Sequence, residues 1–312
     1  RADRLASCIE VLRVAALSSY ESRAISSGVL ALGTDVPHLR HQAARLYGQP
    51  LTAVKSFYRL CDGLNTVFLI GEDGLLLDII DISHRARENH PMMAVTSPCA
   101  SAYRQHAAAT LGTRDSCIVL SPSHEIKVFA EGAHVFTFRN AEWHLLDTEA
   151  KYVHWLQAVG SRPIAEKLFQ CALDMADARQ GALLVVLRDA ASAGELVAPV
   201  DRLDDTARVR GDSDTTRRPL HYLLRGRTLD DVDDSVLRAL ASLDGATVVD
   251  TQGRLIAAGA ILMHPHGDSG DAWVSEGART TAAQAAGRFG AVLKVSTDGM
   301  ITCYDGRRLW EI

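Results

Sequence analysis

The chain has 312 residues, 47% of them hydrophobic, and a formal net charge of −5 at pH 7. This length is enough for two ordinary domains or one large α/β domain with an apolar core. Acidic and basic residues are mixed along the chain, which argues against DNA or RNA as a partner. No apolar run approaches the roughly 18 residues of a membrane-spanning helix, and the N-terminus lacks the pattern of a secretory signal. We therefore expect a cytoplasmic globular protein without a membrane partner.

Six cysteines are scattered along the chain without a Cys-x-x-Cys pair. Most lie inside apolar segments, so we expect buried thiols in a reducing compartment and not disulfides or a zinc site. They are Cys8, Cys61, Cys99, Cys117, Cys171 and Cys303.

The first half of the chain alternates between helical and strand patterns. Apolar residues at helical spacing predict helices, and short apolar runs bounded by Asp-Gly or Glu-Gly turns predict strands. The predicted elements are a helix over 5–17, strands over 28–32 and 67–70, a helix over 103–109, a strand over 117–120, and a hairpin of 126–129 with 135–138.

The second half shows the same kinds of element. Pro163 suits the start of a helix that continues from residue 164. The predicted order is then a strand over 181–187, a polar loop over 201–218, a helix over 230–243, a hairpin of 246–249 with 254–262, a loop over 264–276, a helix over 278–288, a strand over 291–295 and a terminal hairpin.

The two halves follow a similar order, which predicts a diverged tandem repeat. Interleaved helices and strands favour an α/β fold with a mixed central sheet flanked by helices in each half. We expect a first domain over 1–147, a linker helix over 148–162 and a second domain over 163–312. A chance likeness of common helix-strand-hairpin runs is the alternative, because the spacing between the elements differs in the two halves.

Asp244 and Gly245 lie between a predicted helix and a predicted strand. A carboxylate at such a sheet edge projects into a cleft, where it can hold Mg²⁺ or Mn²⁺ beside nucleotide phosphates or bind a ribose hydroxyl. Asp-Gly is also a common turn dipeptide, so a purely structural turn is the alternative.

A second candidate site lies at the N-terminus of the predicted helix that follows Gly277. Free N–H groups and the positive end of the helix dipole attract anions there, and three side chains add donors. A helix cap with a solvated arginine is the alternative. The donor side chains are Arg279, Thr280 and Thr281.

Taken together, the motifs resemble the diadenylate cyclase (DAC) domain of the DNA-integrity-scanning cyclases. The resemblance covers the second half of the chain, and all of it if the first half is a true repeat. The matching segments are Gly-Ala-Leu at 181–183, Asp-Gly-Ala at 244–246, Ala-Ala-Gly-Ala-Ile-Leu at 257–262, Ser-Glu-Gly-Ala-Arg at 275–279 and Gly-Ala at 290–291.

The family condenses two ATP molecules into cyclic di-AMP, with two domains face to face and one ATP in each. By this resemblance, Asp244 would be the metal-binding carboxylate that activates the 3′-hydroxyl, with Mg²⁺ or Mn²⁺ needed only for catalysis. The resemblance further implies that Asp244, Gly245 and Ala246 contact the nucleotide. It places the strand with Gly259 and Leu262 beside adenine, and the phosphates at the helix start with Gly277, Ala278, Arg279, Thr280 and Thr281.

The helix start departs from the family pattern. The family carries Gly-Thr-Arg-His-Arg, whereas this chain has Gly-Ala-Arg-Thr-Thr at 277–281. Losing a cationic donor commonly costs phosphoryl transfer orders of magnitude in rate, while binding of a phosphodiester is less demanding. We therefore expect a nucleotide-binding sensor in second-messenger signalling, which recognises a cyclic dinucleotide or ATP and acts on an effector or as a homo-oligomer. An active diadenylate cyclase and a ligand-free scaffold are the alternatives.

The first half carries a reduced version of the motifs. Asp62 keeps the acidic position, while Arg104 and His106 stand near the place of the basic motif. Two unlike copies in one chain could pair as a pseudo-dimer with a single pocket between them.

Two further sets of polar residues are weaker candidates. His264, His266 and Asp268 suggest a metal site, but no other histidine or cysteine cluster follows them closely, so a loop or nucleotide lid is favoured. Ser296 and Asp298 follow the strand where the family carries polar residues that face the phosphates, although an ordinary hairpin turn explains them equally well.

Overall fold

The computed structural model describes residues 2–20, 22–34, 45–48, 60–89, 98–203, 218–263 and 277–312. The chain divides into two compact units, Arg1–Glu149 and Ala150–Ile312, which we call the first unit and the second unit. Each unit contains a mixed β-sheet with helices packed against it. The expected α/β fold with two similar sheet-helix units is confirmed.

The first unit is built on a seven-stranded sheet with the order β5-β4-β3-β6-β7-β8-β9. Strands β3 and β4 are parallel, and every other neighbouring pair is antiparallel. The elements are α1 (Ala2–Ala16), a small ladder of β1 (Ser19–Tyr20) and β2 (Arg23–Ala24), β3 (Ser27–Ala31), β4 (Thr66–Ile70), β5 (Leu76–Asp81), α2 (Ile82–Asn89), a 3₁₀ turn Ser101–Tyr103, α3 (Arg104–Thr110), β6 (Ser116–Leu120), β7 (Ile126–Ala130), β8 (Ala133–Arg139) and β9 (Glu142–Leu145).

The second unit is built on a six-stranded sheet with the order β12-β11-β10-β13-β14-β15. Here β10 and β11 are the parallel pair. The elements are α4 (Thr148–Val159), which begins at the boundary of the units, α5 (Arg162–Asp177), β10 (Ala182–Leu187), α6 (Ala193–Leu196) between 3₁₀ turns Ala190–Ser192 and Pro199–Asp201, α7 (Arg218–Leu224), a 3₁₀ turn Leu229–Asp231, α8 (Asp234–Ala241), β11 (Ala246–Asp250), β12 (Leu255–Ala260), α9 (Ala278–Ala286), β13 (Gly290–Val295), β14 (Ile301–Asp305) and β15 (Arg307–Glu311).

The two sheets share one topology. Strands β3 to β8 of the first unit correspond in order and direction to β10 to β15 of the second, and β9 is an addition at one edge. The helix before the first of these strands packs on one face of each sheet, and the helix before the fourth packs on the other. This repeated order explains why the two halves of the sequence show the same succession of elements.

Local sequence signals account for the main helix of the second unit. Pro163 occupies the first turn of α5, where a missing N–H costs nothing. The apolar stripe of α5, which includes Leu168 and Phe169, is buried against the sheet. The segment predicted as a linker helix forms α4, and its Trp155 donates a 3.0 Å hydrogen bond to the Ala165 carbonyl within the same core.

Two predicted elements differ from the structure. The predicted helix over 230–243 is a 3₁₀ turn followed by α8, because Thr228 and Asp231 form a capping box and Lys167 Nζ binds the Val232 carbonyl at 2.5 Å between the two pieces. The predicted loop over 201–218 begins with ordered backbone, since the Leu203 amide donates to the Ile256 carbonyl at 2.9 Å. Residues 204–217 lie outside the described residues.

All six cysteines are buried and none forms a disulfide, as their apolar neighbours predict. Within the described ranges, no helix is both long and apolar enough to cross a bilayer.

Candidate functional site

A cleft of about 510 Å³ opens at one end of the second-unit sheet, where β10 and β11 begin and β12 and β13 end. Because neighbouring strands place their ends side by side there, segments far apart in sequence meet around one opening. We call this opening the second-unit cleft. It is lined by residues 244–245, 260–262, 277–280 and 296–297 together with Leu183, Ala282 and Lys294.

The second-unit cleft contains most of the residues that the sequence singled out. Three predicted residues do not line it: Ala246 is buried in the core, and Gly259 and Thr281 are half-buried. The predicted residues that line it are Asp244, Gly245, Leu262, Gly277, Ala278, Arg279, Thr280 and Ser296.

Two glycines fix the backbone beside Asp244. Gly245 has φ +118°, and a Cβ on it would lie 2.5 Å from the carbonyl carbon of Gly259 and 2.6 Å from the Ala260 oxygen. Only glycine allows both this conformation and this backbone contact. The two glycines therefore hold the start of β11 against the end of β12 and place Asp244 at the rim of the second-unit cleft.

The Asp244 side chain is exposed at this rim. No group in the described part of the chain donates a hydrogen bond to its carboxylate, which is therefore available to a ligand. The described residues contain no group of three side chains that could enclose a metal ion. A single carboxylate suits Mg²⁺ that shares its remaining coordination with ligand phosphates and water, so Asp244 fits such an ion.

Arg279 lies across Gly181, the residue before β10. A Cβ on Gly181 would overlap the Arg279 guanidinium, with its Cζ at 2.8 Å. The absence of a side chain at 181 thus creates the space in which this cation lies. Across the described ranges, no carboxylate pairs with Arg279, so its charge is available at the second-unit cleft.

The N-terminus of α9 lies beside Arg279. Gly277 is the N-cap, and this residue has no side chain that could accept a hydrogen bond from the first amides of the helix. The Thr280 amide donates to the Gly277 carbonyl at 2.8 Å, which leaves the preceding amides without an intrahelical acceptor. These amides and the helix dipole add partial positive charge to the guanidinium.

Lys294 is the charged residue of the cleft lining that the sequence motifs did not indicate. It is half-buried in β13, a strand whose other residues are all buried. Its Nζ donates a hydrogen bond to Thr280 Oγ1 at 3.2 Å, so the strand and the helix start join at this contact. The available signal was a single lysine within the apolar run of β13.

Ser296 and Thr297 complete the polar lining. The Ser296 hydroxyl bonds to the Asp298 carboxylate and, at 3.2 Å, to the Met300 carbonyl. Both partners belong to the turn between β13 and β14. The bonding of Ser296 within its own hairpin makes it a weaker ligand candidate than Thr280.

The candidates of the first unit have internal partners. The Asp62 carboxylate accepts hydrogen bonds from the amides of Leu64, Asn65 and Thr66 at 2.8, 2.7 and 3.0 Å, and from the Asn65 side chain at 2.7 Å. Partial burial alone would raise the pKa of Asp62, but these bonds outweigh it and lower the pKa to about 2. Asp62 thus closes a turn before β4.

His106 is completely buried in the first unit, whereas Arg104 is exposed. The His106 ring packs against Tyr103 and Phe129, with centroids 5.3 and 5.5 Å apart, and its Nε2 bonds to the Gly63 carbonyl at 2.8 Å. Burial lowers the pKa of His106 to about 4, although the bond to Gly63 opposes this shift. The ring therefore belongs to the core, and His106 is neutral in the folded protein.

Because of this buried histidine, we expect the stability of the protein to decrease at acidic pH. The pKa of His106 falls from 6.5 to about 4 on folding, so its contribution is complete above pH 6.5 and is lost as the pH falls towards 4. Between pH 7 and pH 4, we expect the free energy of unfolding to fall by about 3 kcal/mol more in the wild type than in His106→Gln. Urea unfolding at the two pH values measures this difference. Equal losses in the two proteins would contradict the assignment.

The predicted metal candidates His264, His266 and Asp268 lie outside the described residues, as do Ser275 and Glu276 of the predicted motif.

No protein-family model and no curated protein matches the chain. A hypothetical membrane spanning protein from Bacillus cereus is 18% identical, covers 52% of this chain and 70% of its own, and gives a TM-score of 0.36. A double mutant of DacA from Staphylococcus aureus is 22% identical, covers 48% of this chain and 87% of its own, and gives a TM-score of 0.29. At such low TM-scores, neither similarity identifies the function of this chain.

Proposed function

We propose that the second unit binds a nucleotide in the second-unit cleft and acts as a sensor or regulatory domain. The ligand is an adenine-containing cyclic dinucleotide, similar to cyclic di-AMP, or ATP. One observation carries the proposal: a single cleft joins Arg279, Lys294 and an uncapped helix N-terminus to the carboxylate of Asp244.

The cationic side of the second-unit cleft suits a phosphate. Arg279 offers a planar fork of N–H donors, the first amides of α9 point outwards from the helix, and Thr280 adds a hydroxyl. These donors come from one turn of helix and can converge on a single phosphate group.

The opposite side suits a nucleoside. The Asp244 carboxylate can accept a hydrogen bond from a ribose hydroxyl. Beside it, Ala260, Ile261 and Leu262 form an apolar wall, and Ile261 is 59% exposed although it is large and aliphatic. A purine that covers this wall would remove apolar surface from water, which favours binding.

The charge of the second-unit cleft favours a ligand of low charge. Arg279 and Lys294 supply two positive charges and Asp244 one negative charge among the lining residues. One phosphodiester of a cyclic dinucleotide carries one negative charge and matches this balance, whereas a triphosphate needs additional cations. The helix start also lacks the His and second Arg of the cyclase pattern, so we favour binding over turnover.

An active diadenylate cyclase is the second candidate. Lys294 supplies one cation in place of those missing from the helix start, and Asp244 is exposed. Asp244 would hold Mg²⁺ or Mn²⁺ together with the phosphates, and that ion would supply charge neutralisation. Incubation with ATP and either metal, followed by mass spectrometry, tests this candidate. Cyclic di-AMP that disappears in Asp244→Asn would support it, and no product with either metal would exclude it.

Titration calorimetry tests the binding proposal. We expect the full chain to bind cyclic di-AMP, another cyclic dinucleotide or ATP with about one ligand per chain, since Asp62 and His106 of the first unit have internal partners. Asp244→Asn should weaken binding about tenfold, the value of one charge-assisted hydrogen bond. Absence of binding heat with every nucleotide in the presence and absence of Mg²⁺ would contradict the proposal.

A ligand-free scaffold is less compatible with the geometry, because the space beside Asp244 is an open cleft whose lining includes charged and hydroxyl side chains. The proposal also includes the response to the bound nucleotide. The second unit would pass this signal on through an effector protein or through the formation of a homo-oligomer.

A further inference from the structure

Lys294 occupies an unusual position for a lysine. Its strand β13 is central in the sheet, and its cross-strand partners are Leu183 and Thr302. This row of residues lies on the face that packs against α9, at the floor of the second-unit cleft. A lysine in such a row is held by its neighbours and cannot move freely into solvent.

Within the part of the chain that the structure describes, the ammonium group of Lys294 has one partner, and that partner is neutral. It donates to Thr280 Oγ1, and throughout the described part of the chain no carboxylate lies within ion-pair distance. A half-buried cation without a counter-ion costs free energy of folding because its hydration is incomplete. Retention of a charge at such a cost is typical of residues that act on a ligand.

We infer that Lys294 is a phosphate-binding residue of the second-unit cleft and that it acts from the sheet in place of the cations missing from the helix start. This inference rests on the proposed function and deepens it. The phosphate lies between Lys294 on the floor and Arg279 and the α9 amides on the wall. The Lys294 bond to Thr280 turns that hydroxyl towards the same phosphate.

The inference also limits the ligand class. With one cation from the strand, one from the helix and one carboxylate, the second-unit cleft can neutralise one phosphodiester without a metal ion. We therefore expect cyclic di-AMP to bind in the presence of EDTA, and ATP to bind more weakly than cyclic di-AMP under the same conditions.

The experiment compares three variants of the full chain by calorimetry with cyclic di-AMP and ATP. Lys294→Met removes the charge and keeps the aliphatic stem, Lys294→Arg keeps the charge, and Arg288→Met removes an exposed charge just after α9 as a matched control. We expect Lys294→Met to weaken binding about ten- to a hundredfold, since a hydrogen bond to a charged group is lost. The affinities of Lys294→Arg and Arg288→Met should stay within about threefold of the wild-type affinity, because both variants keep two cations in the cleft.

Two further measurements separate a ligand role from a structural one. Without ligand, Lys294→Met should melt within about 3 °C of the wild type, because the loss of one hydrogen bond to a hydroxyl is offset by the removal of an incompletely hydrated charge. The affinity of Lys294→Met should also depend less steeply on salt concentration than that of the wild type.

Three outcomes would overturn the role of Lys294. Equal affinity of the wild type and Lys294→Met would overturn the role of Lys294 while leaving the proposed function intact. A large drop in melting temperature with unchanged salt dependence would show a structural lysine and overturn the inference. A wild type that binds none of the nucleotides would overturn the proposed function and this inference together.

Discussion

Gly245→Ala will destabilise the second unit by about 3–5 kcal/mol, because the methyl group has no room and the backbone conformation is unfavourable for an L-residue. The added Cβ would lie 2.5 to 2.7 Å from backbone atoms of Gly259 and Ala260, which cannot move without breaking the pairing of β11 with β12. Gly245 has φ +118°, a value that side-chain-bearing residues rarely adopt. Urea unfolding monitored by circular dichroism measures the loss.

Gly277→Ala is the matched control for this prediction. Gly277 lines the same cleft, but a Cβ on it would meet no atom of the described residues within 4 Å, and its φ is −45°. We expect its free energy of unfolding to stay within about 1 kcal/mol of the wild type. Similar stability of Gly245→Ala and Gly277→Ala would show that the close contact between β11 and β12 does not exist.

Arg279→Met will weaken nucleotide binding about a hundredfold or more. Arg279 is the one cation at the start of α9, and its guanidinium can form two charge-assisted bonds to a phosphate. Loss of these bonds leaves the phosphate with the helix amides and Lys294, which explains a larger effect than that of Lys294→Met. Calorimetry with the tightest-binding nucleotide of the wild type measures the change.

Gly181→Ala tests the position of Arg279 without removing its charge. The methyl group would displace the guanidinium, which is the movable end of a flexible side chain, so the fold should tolerate the change. We expect about tenfold weaker binding with little loss of stability, because the guanidinium leaves its aligned position. Gly194→Ala is the control, because no atom of the described ranges lies within 4 Å of its Cβ position. Unchanged affinity in Gly181→Ala would contradict the observed place of Arg279.

The fold could be predicted from local patterns because they agree with the tertiary structure in most segments. The apolar run of β10 and the helix start at Pro163 are strong signals in both sequence and structure. The predicted helix over 230–243 was too long because a side chain distant in sequence, Lys167, binds the Val232 carbonyl. Contacts of this kind depend on tertiary packing and leave no periodic trace in the sequence.

The candidate site could be predicted only in part. Asp244 and Arg279 belong to short motifs with recognisable chemistry, and the structure brings them to one cleft. Lys294 stands outside any motif, and its relation to Thr280 arises from the packing of α9 on β13. His106 resembled a remnant of a basic motif, but its ring is enclosed by aromatic neighbours in the first-unit core. Sequence spacing alone does not tell which face of a helix a histidine occupies.

Hydrogen exchange with and without the tightest-binding nucleotide tests the central claim most directly, because it locates the ligand as well as detecting it. We predict slower exchange at the start of α9, over residues 277–281, and around Asp244, with no change in α3 of the first unit. Protection confined to the first unit, or no protection at the start of α9 under saturating ligand, would contradict the assignment of the second-unit cleft as the nucleotide site.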